Sequence, residues 1–122
     1  MDRAELLARL AETPEWPTKE VEAPELGGSL RVRAMTGTVR NRLEAAFAAI
    51  SEGADGKCMD SVIIALVSEC VVDDKGHPIL PKSAAERLFR NYPTVAFRIR
   101  DAAVELGGTS ETDKEELKEA FG

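Results

Sequence analysis

One histidine, two cysteines, one tryptophan and one tyrosine in 122 residues leave this chain short of the side chains that build most reactive centres. With His77 alone, no zinc site resting on two imidazoles can form. Asp73, Asp74 and His77 lie close together but lack the Asp-x-Asp-x-Asp-Gly order of a calcium loop, so no metal and no cofactor is expected. His77, between Gly76 and Pro78, reads as a solvated turn residue. A Gly-x-Ser-x-Gly elbow, a phosphate-binding loop and a dinucleotide fingerprint are all missing. Asp60, Glu69 and Asp101 read as carboxylates on solvated helix faces, and no enzyme is expected.

Long apolar runs are also missing. The longest, Val62 to Val67, falls far short of the roughly 20 residues that cross a bilayer, so no membrane partner is expected. The opening Met1-Asp2-Arg3-Ala4-Glu5 carries acids where a signal peptide would be basic, which predicts a soluble intracellular protein. Cys58 and Cys70 are then expected to be reduced and packed in the core.

A basic excess is absent as well. The net charge is −6, with −4 on residues 1–30, +1 on 31–56, 0 on 57–106 and −3 on 107–122. Nucleic-acid binding needs a concentrated basic face that releases counterions from phosphate, and this balance argues against it. The alternative, a small helical DNA-binding regulator, rests on Arg87, Arg90, Arg98 and Arg100 around a helix-turn-helix and has that charge against it.

What remains is a clear pattern of elements. Asp2 followed by Glu5 forms a capping box for a short helix whose apolar edge is Leu6, Leu7 and Leu10; Pro14 and Pro17 then flank Trp16 and stop it. Val21 and Ala23 alternate with Glu20 and Glu22, Pro24 to Gly28 turn the chain, and Leu30, Val32 and Ala34 alternate with Arg31 and Arg33. This predicts a hairpin, with the arginines paired to Glu20 and Glu22 or free to grip a partner's acids. From Thr36 the period changes: Val39, Leu43, Ala46, Phe47 and Ile50 make one helical stripe, capped by Thr36 or Thr38. Residues 58–72 are apolar nearly all round and are expected to form the central helix. Asp73 to Gly76 turn, His77 to Pro81 connect, and Ser83 with Glu86 predicts the cap of a helix reaching Asn91. Pro93 opens a helix with the stripe Val95, Ile99, Ala102, Ala103 and Leu106, which Gly107-Gly108 closes in a left-handed residue. Thr112 with Glu115 caps a last, acidic helix bearing Leu117 and Phe121.

The expected fold is α+β and mainly helical, an N-terminal β-hairpin packed on a bundle of about four to five helices. Residues 1–17 form a short helix and Pro/Trp linker, 18–108 a single globular domain, and 109–122 an acidic C-terminal helix, ordered or mobile. Spare apolar surface is the candidate site. Phe97 and Val104 stand roughly 160° from the core stripe of their helix, which means either a helix sandwiched between layers or a partner-binding ridge. Leu117 and Phe121 raise the same question, since amphipathic ends dock on their own core or in another chain's groove.

In order and spacing these segments match a known pattern. Lys19-Glu20-Val21-Glu22-Ala23-Pro24-Glu25-Leu26-Gly27-Gly28-Ser29-Leu30-Arg31-Val32-Arg33, then Met35-Thr36-Gly37 and an Arg-rich helix start, resembles the front of small tail assembly chaperones of long-tailed, non-contractile phages. The run from Val71-Val72-Asp73-Asp74-Lys75-Gly76 to Leu80, the helix from Val95-Ala96-Phe97-Arg98-Ile99 to Leu106-Gly107-Gly108, and the acidic tail ending in Phe121 also fit, over roughly residues 18–121. The resemblance implies a non-enzymatic virion-assembly factor. Such a factor binds the tape measure protein, helps recruit tail tube subunits, works in the host cytoplasm and is absent from the mature virion. It further implies that a frameshift adds a second domain in many relatives. Self-association is left open. The residues expected at a partner surface are Phe97, Val104, Leu117, Phe121, Arg31 and Arg33.

Overall fold

A computed structural model describes residues 1–12 and 16–107. The first helix, α1 (Arg3–Ala11), starts as the capping box requires, with Asp2 Oδ1 accepting from the Glu5 backbone N–H at 2.8 Å. It buries none of its residues: Leu6, Leu7 and Leu10 are 48%, 52% and 72% exposed.

Strands β1 (Thr18–Ala23) and β2 (Gly28–Arg33) pair antiparallel, with Glu20 opposite Arg31 and Val21 opposite Leu30. A 3-10 turn at Pro24–Leu26 joins them through Gly27, whose φ of +82° suits glycine. Val21, Ala23 and Val32 are buried while Glu20 and Glu22 face outward, the alternation expected of a sheet with one covered face.

The expected hairpin is in fact a three-stranded sheet, because the apolar segment 58–72 is not one helix. Helix α3 (Lys57–Cys70) stops at Cys70, and Val71–Val72 forms β3, antiparallel to Arg31 and Val32 at the far edge of β2. Periodicity could not detect this switch, since both valines are buried in either state; their β-branching and a free strand edge decide it. After β3 the chain turns on Gly76 (φ +84°). The Asp73 carboxylate accepts from the Lys75 and His77 backbone N–H groups at 2.8 and 3.0 Å, which hold it below the usual carboxylate range.

Four helices carry the core. Helix α2 (Gly37–Ser51) is capped by Thr36, whose Oγ1 accepts from Val39 N–H. Helix α3 is central and packs on α2, on α4 (Lys82–Asn91) and on α5 (Pro93–Leu106). The apolar character on all sides of α3 follows from this: Met59, Val62, Ile63, Leu66, Val67 and Cys70 are all buried. Helix α5 lies between the sheet, through β1 and β2, and the pair α3 and α4. The mainly helical α+β class therefore holds, with four packed helices and α1 outside the core.

Two terminal assignments are corrected. Pro81 rather than Ser83 stands at the N-cap of α4, and no side chain caps it there. Gly107 has φ −75° and is not left-handed; Gly108 lies outside the described residues, as does the segment 109–122.

Burial also sets thiol chemistry. Desolvation, reinforced by the neighbouring Glu69 charge, pushes the Cys70 thiol up to about 12, whereas Cys58 is only half-buried. A thiolate is the reacting form, so at pH 8 an alkylating reagent is expected to label one cysteine of the folded chain, Cys58. Cys70 should follow only on unfolding. Equal labelling rates for both would contradict the packing of α3 on β3.

Candidate functional site

The site is best built from the junction of α4 and α5. Tyr92 alone separates the two helices, and Pro93 occupies the first position of α5, where its missing N–H costs nothing. In α5 the stripe Val95, Ile99, Ala102 and Ala103 is buried as expected, but so are Ala96 and Arg100. At about 100° per residue these six cover roughly 160° of the helix, a wide arc because α5 is covered on two sides. Val104 and Phe97 follow about 40° and 60° beyond Arg100, at the rim of that arc. Val104 is half-buried against the core, and Phe97 is 40% exposed.

Phe97 is not isolated. Its ring meets Phe89 of α4 edge-on, with centroids 6.2 Å apart and planes at 84°, and the Arg100 guanidinium carbon lies 5.0 Å from its centroid. Both geometries suit the ring quadrupole, whose edge is positive and whose face is negative. Tyr92, 38% exposed, stands at the junction of the two helices. The result is an aromatic edge with a buried cation against it, and Arg87 and Arg90 exposed on α4. Phe89 was missed by sequence reasoning, which placed Arg100 only among the arginines of the DNA-binding alternative. Phe89 lies eight residues from Phe97 across a helix break, so no single period links them.

The four arginines of the DNA-binding alternative do not form one basic face. Arg98 reaches back to the hairpin turn and holds Glu25 through two hydrogen bonds of 2.9 Å, with a third bond of 3.2 Å to the Glu22 carbonyl. That clamp holds the Glu25 carboxyl below its ordinary value. Its contribution to stability is present above the ordinary carboxylate range and is lost as pH falls through the lowered folded value. Arg100 is 8% exposed and donates to Asp101 Oδ1 at 2.9 and 3.0 Å.

Arg31 and Arg33 part company. Arg31 stands opposite Glu20, with Nε 3.9 Å from its carboxylate, and also donates to the Asp74 carbonyl. Arg33 does not pair with Glu22, which faces Ser29 across the hairpin. Its guanidinium instead lies 3.4 Å from Glu69 at the end of α3 and 5.4 Å from the Trp16 ring centroid. Strand β3 explains this, since it brings the last turn of α3 alongside β2. Leu117 and Phe121 lie outside the described residues. Among the described residues no three His, Cys, Asp or Glu side chains converge as a metal site would require, and no helix is long and apolar enough to cross a membrane.

These features define a small, mainly helical α+β protein: a three-stranded antiparallel sheet packed on four helices, with an aromatic edge between the last two. The structure is similar to that of the bacteriophage HK97 tail assembly chaperone, with a TM-score of 0.60 over 88% of this chain and 99% of that chain, at 18% sequence identity. No family model matches the chain, and no curated protein matches its sequence.

Proposed function

We propose that this chain is a phage tail assembly chaperone that acts by non-covalent binding. It covers apolar stretches of the tape measure protein in the host cytoplasm and helps recruit tail tube subunits around it. The observation that carries the reading is the aromatic edge of Phe89, Tyr92 and Phe97, on a fold shared with the HK97 protein. An apolar helix face on a client could bury against that edge, while the net charge of −6 keeps the pair soluble.

Co-expression with the tape measure protein tests it. The wild-type chain should keep the client soluble and co-purify with it. Phe97→Asp should stay folded, because its side chain is only partly buried, with a loss of about 1–2 kcal/mol from the Phe89 and Arg100 contacts. The same variant should lose most of the co-purified client. A client indifferent to the wild-type chain would overturn the function, and full capture by a folded Phe97→Asp variant would overturn the site.

A further inference from the structure

The sheet runs β1, β2, β3, so among the described residues one long side of β1 pairs with no strand. The register says which backbone groups point to that side. Pro17 and Ala34 continue the β1–β2 pairing, and the Pro17 carbonyl accepts from the Ala34 N–H at 3.3 Å. Bonded and non-bonded pairs alternate along an antiparallel ladder, so Lys19, Val21 and Ala23 bond to β2. Thr18, Glu20 and Glu22 therefore turn their N–H and C=O groups outward. The Glu22 carbonyl bears this out, because it accepts from Arg98 of α5 at 3.2 Å.

Arg98 thus closes the Glu22 end of the edge. The Thr18–Glu20 end has no such cover among the described residues, and the devices that usually blunt an edge are missing there. Six residue pairs run in register without a bulge, and Pro17 lies before the strand. The ammonium of Lys19 is held by Glu105 of α5. Two adjacent outward residues offer two donors and two acceptors, enough for two bonded pairs with an added strand.

Charge selects the occupant. Thr18, Glu20 and Glu22 share the outer face of β1. The Glu20 side chain is 63% exposed and shares Arg31 at 3.9 Å, while Glu22 stands opposite the uncharged Ser29. A second copy docked edge to edge would gather four carboxylates on one face, which is unfavourable, whereas basic side chains at alternate positions would meet these acids. We propose that the outer edge of β1 at Thr18 and Glu20 takes up an extended, antiparallel segment of a partner protein with lysine or arginine at every second position. The proposal does not rest on the client reading, which concerns the Phe97 edge at the junction of α4 and α5.

Three short synthetic peptides test it by NMR titration of the full chain: alternating Lys and Val, alternating Glu and Val, and the Lys/Val peptide N-methylated along one edge. The Lys/Val peptide should shift the Thr18, Glu20 and Glu22 amides and slow exchange of the Thr18 and Glu20 N–H groups about tenfold. The Glu/Val and N-methylated peptides should leave them unchanged. Glu20→Gln/Glu22→Gln should weaken binding roughly fivefold. Thr18→Pro removes one outward N–H and no β1–β2 bond, so it should keep the fold and lose the peptide. No shift with the Lys/Val peptide, equal binding of the Glu/Val or N-methylated peptide, or shifts centred on Phe97 would overturn the proposal. So would protection of Thr18 and Glu20 that rises with protein concentration in the absence of peptide, which would make a second copy the occupant. Client capture enters none of these readouts.

Discussion

Leu66→Ala is expected to lower the stability of the folded chain by about 3 kcal/mol, within the range of roughly 2–5 kcal/mol for large-to-small changes at closed core positions. Leu66 is 0% exposed on α3, the helix that touches α2, α4, α5 and β3, so its removal leaves a cavity that no single element can close by shifting. For a domain of this size the melting temperature should fall by roughly 10–15 °C. Ile64, two residues earlier, is only partly buried. Ile64→Ala should therefore cost less than half as much. Urea unfolding of the two variants beside wild type measures both, and equal losses would refute the central place of α3.

The second large effect concerns Arg33. Its side chain is 13% exposed, Nε has no hydrogen-bond partner among the described residues, and the charge is balanced by Glu69, itself 22% exposed. Glu69→Ala leaves the guanidinium largely desolvated with its carboxylate gone, at an expected cost of about 2 kcal/mol, below the full buried-pair penalty because water reaches Glu69. Removing both charges should recover most of that loss, so the double variant Arg33→Met/Glu69→Leu is expected near wild type. Denaturant midpoints of the single and double variants decide the matter. An additive double variant would mean that Arg33 and Glu69 do not interact.

Much of the architecture was legible in one dimension. The cap at Asp2, the turn around Gly27, the cap at Thr36 and Pro93 at the head of α5 are local chemistry, set by neighbours a few residues away. The end of α3 was not legible. Val71 and Val72 are apolar in a uniformly apolar run, and only the free edge of β2 makes them a strand. The candidate site was half-legible for the same reason. Phe97 showed itself through its place on a helical wheel, whereas Phe89 joins it only because α4 folds back on α5. The partner of Arg33 was misread because an arginine on a strand can reach several carboxylates, and packing chooses among them.

By itself, then, the order of residues determined most of the elements, the covered face of the hairpin, the absence of the familiar catalytic motifs from the sequence, and the spare hydrophobic surface near Phe97. Tertiary structure alone decided that the sheet has three strands, that Arg98 and Arg100 are spent internally, and that Leu6, Leu7 and Leu10 of α1 stay exposed. The division has one physical cause. Caps, turns and periodicity are fixed by short-range sterics and hydrogen bonds, while pairing and exposure depend on which surfaces distant segments bring together.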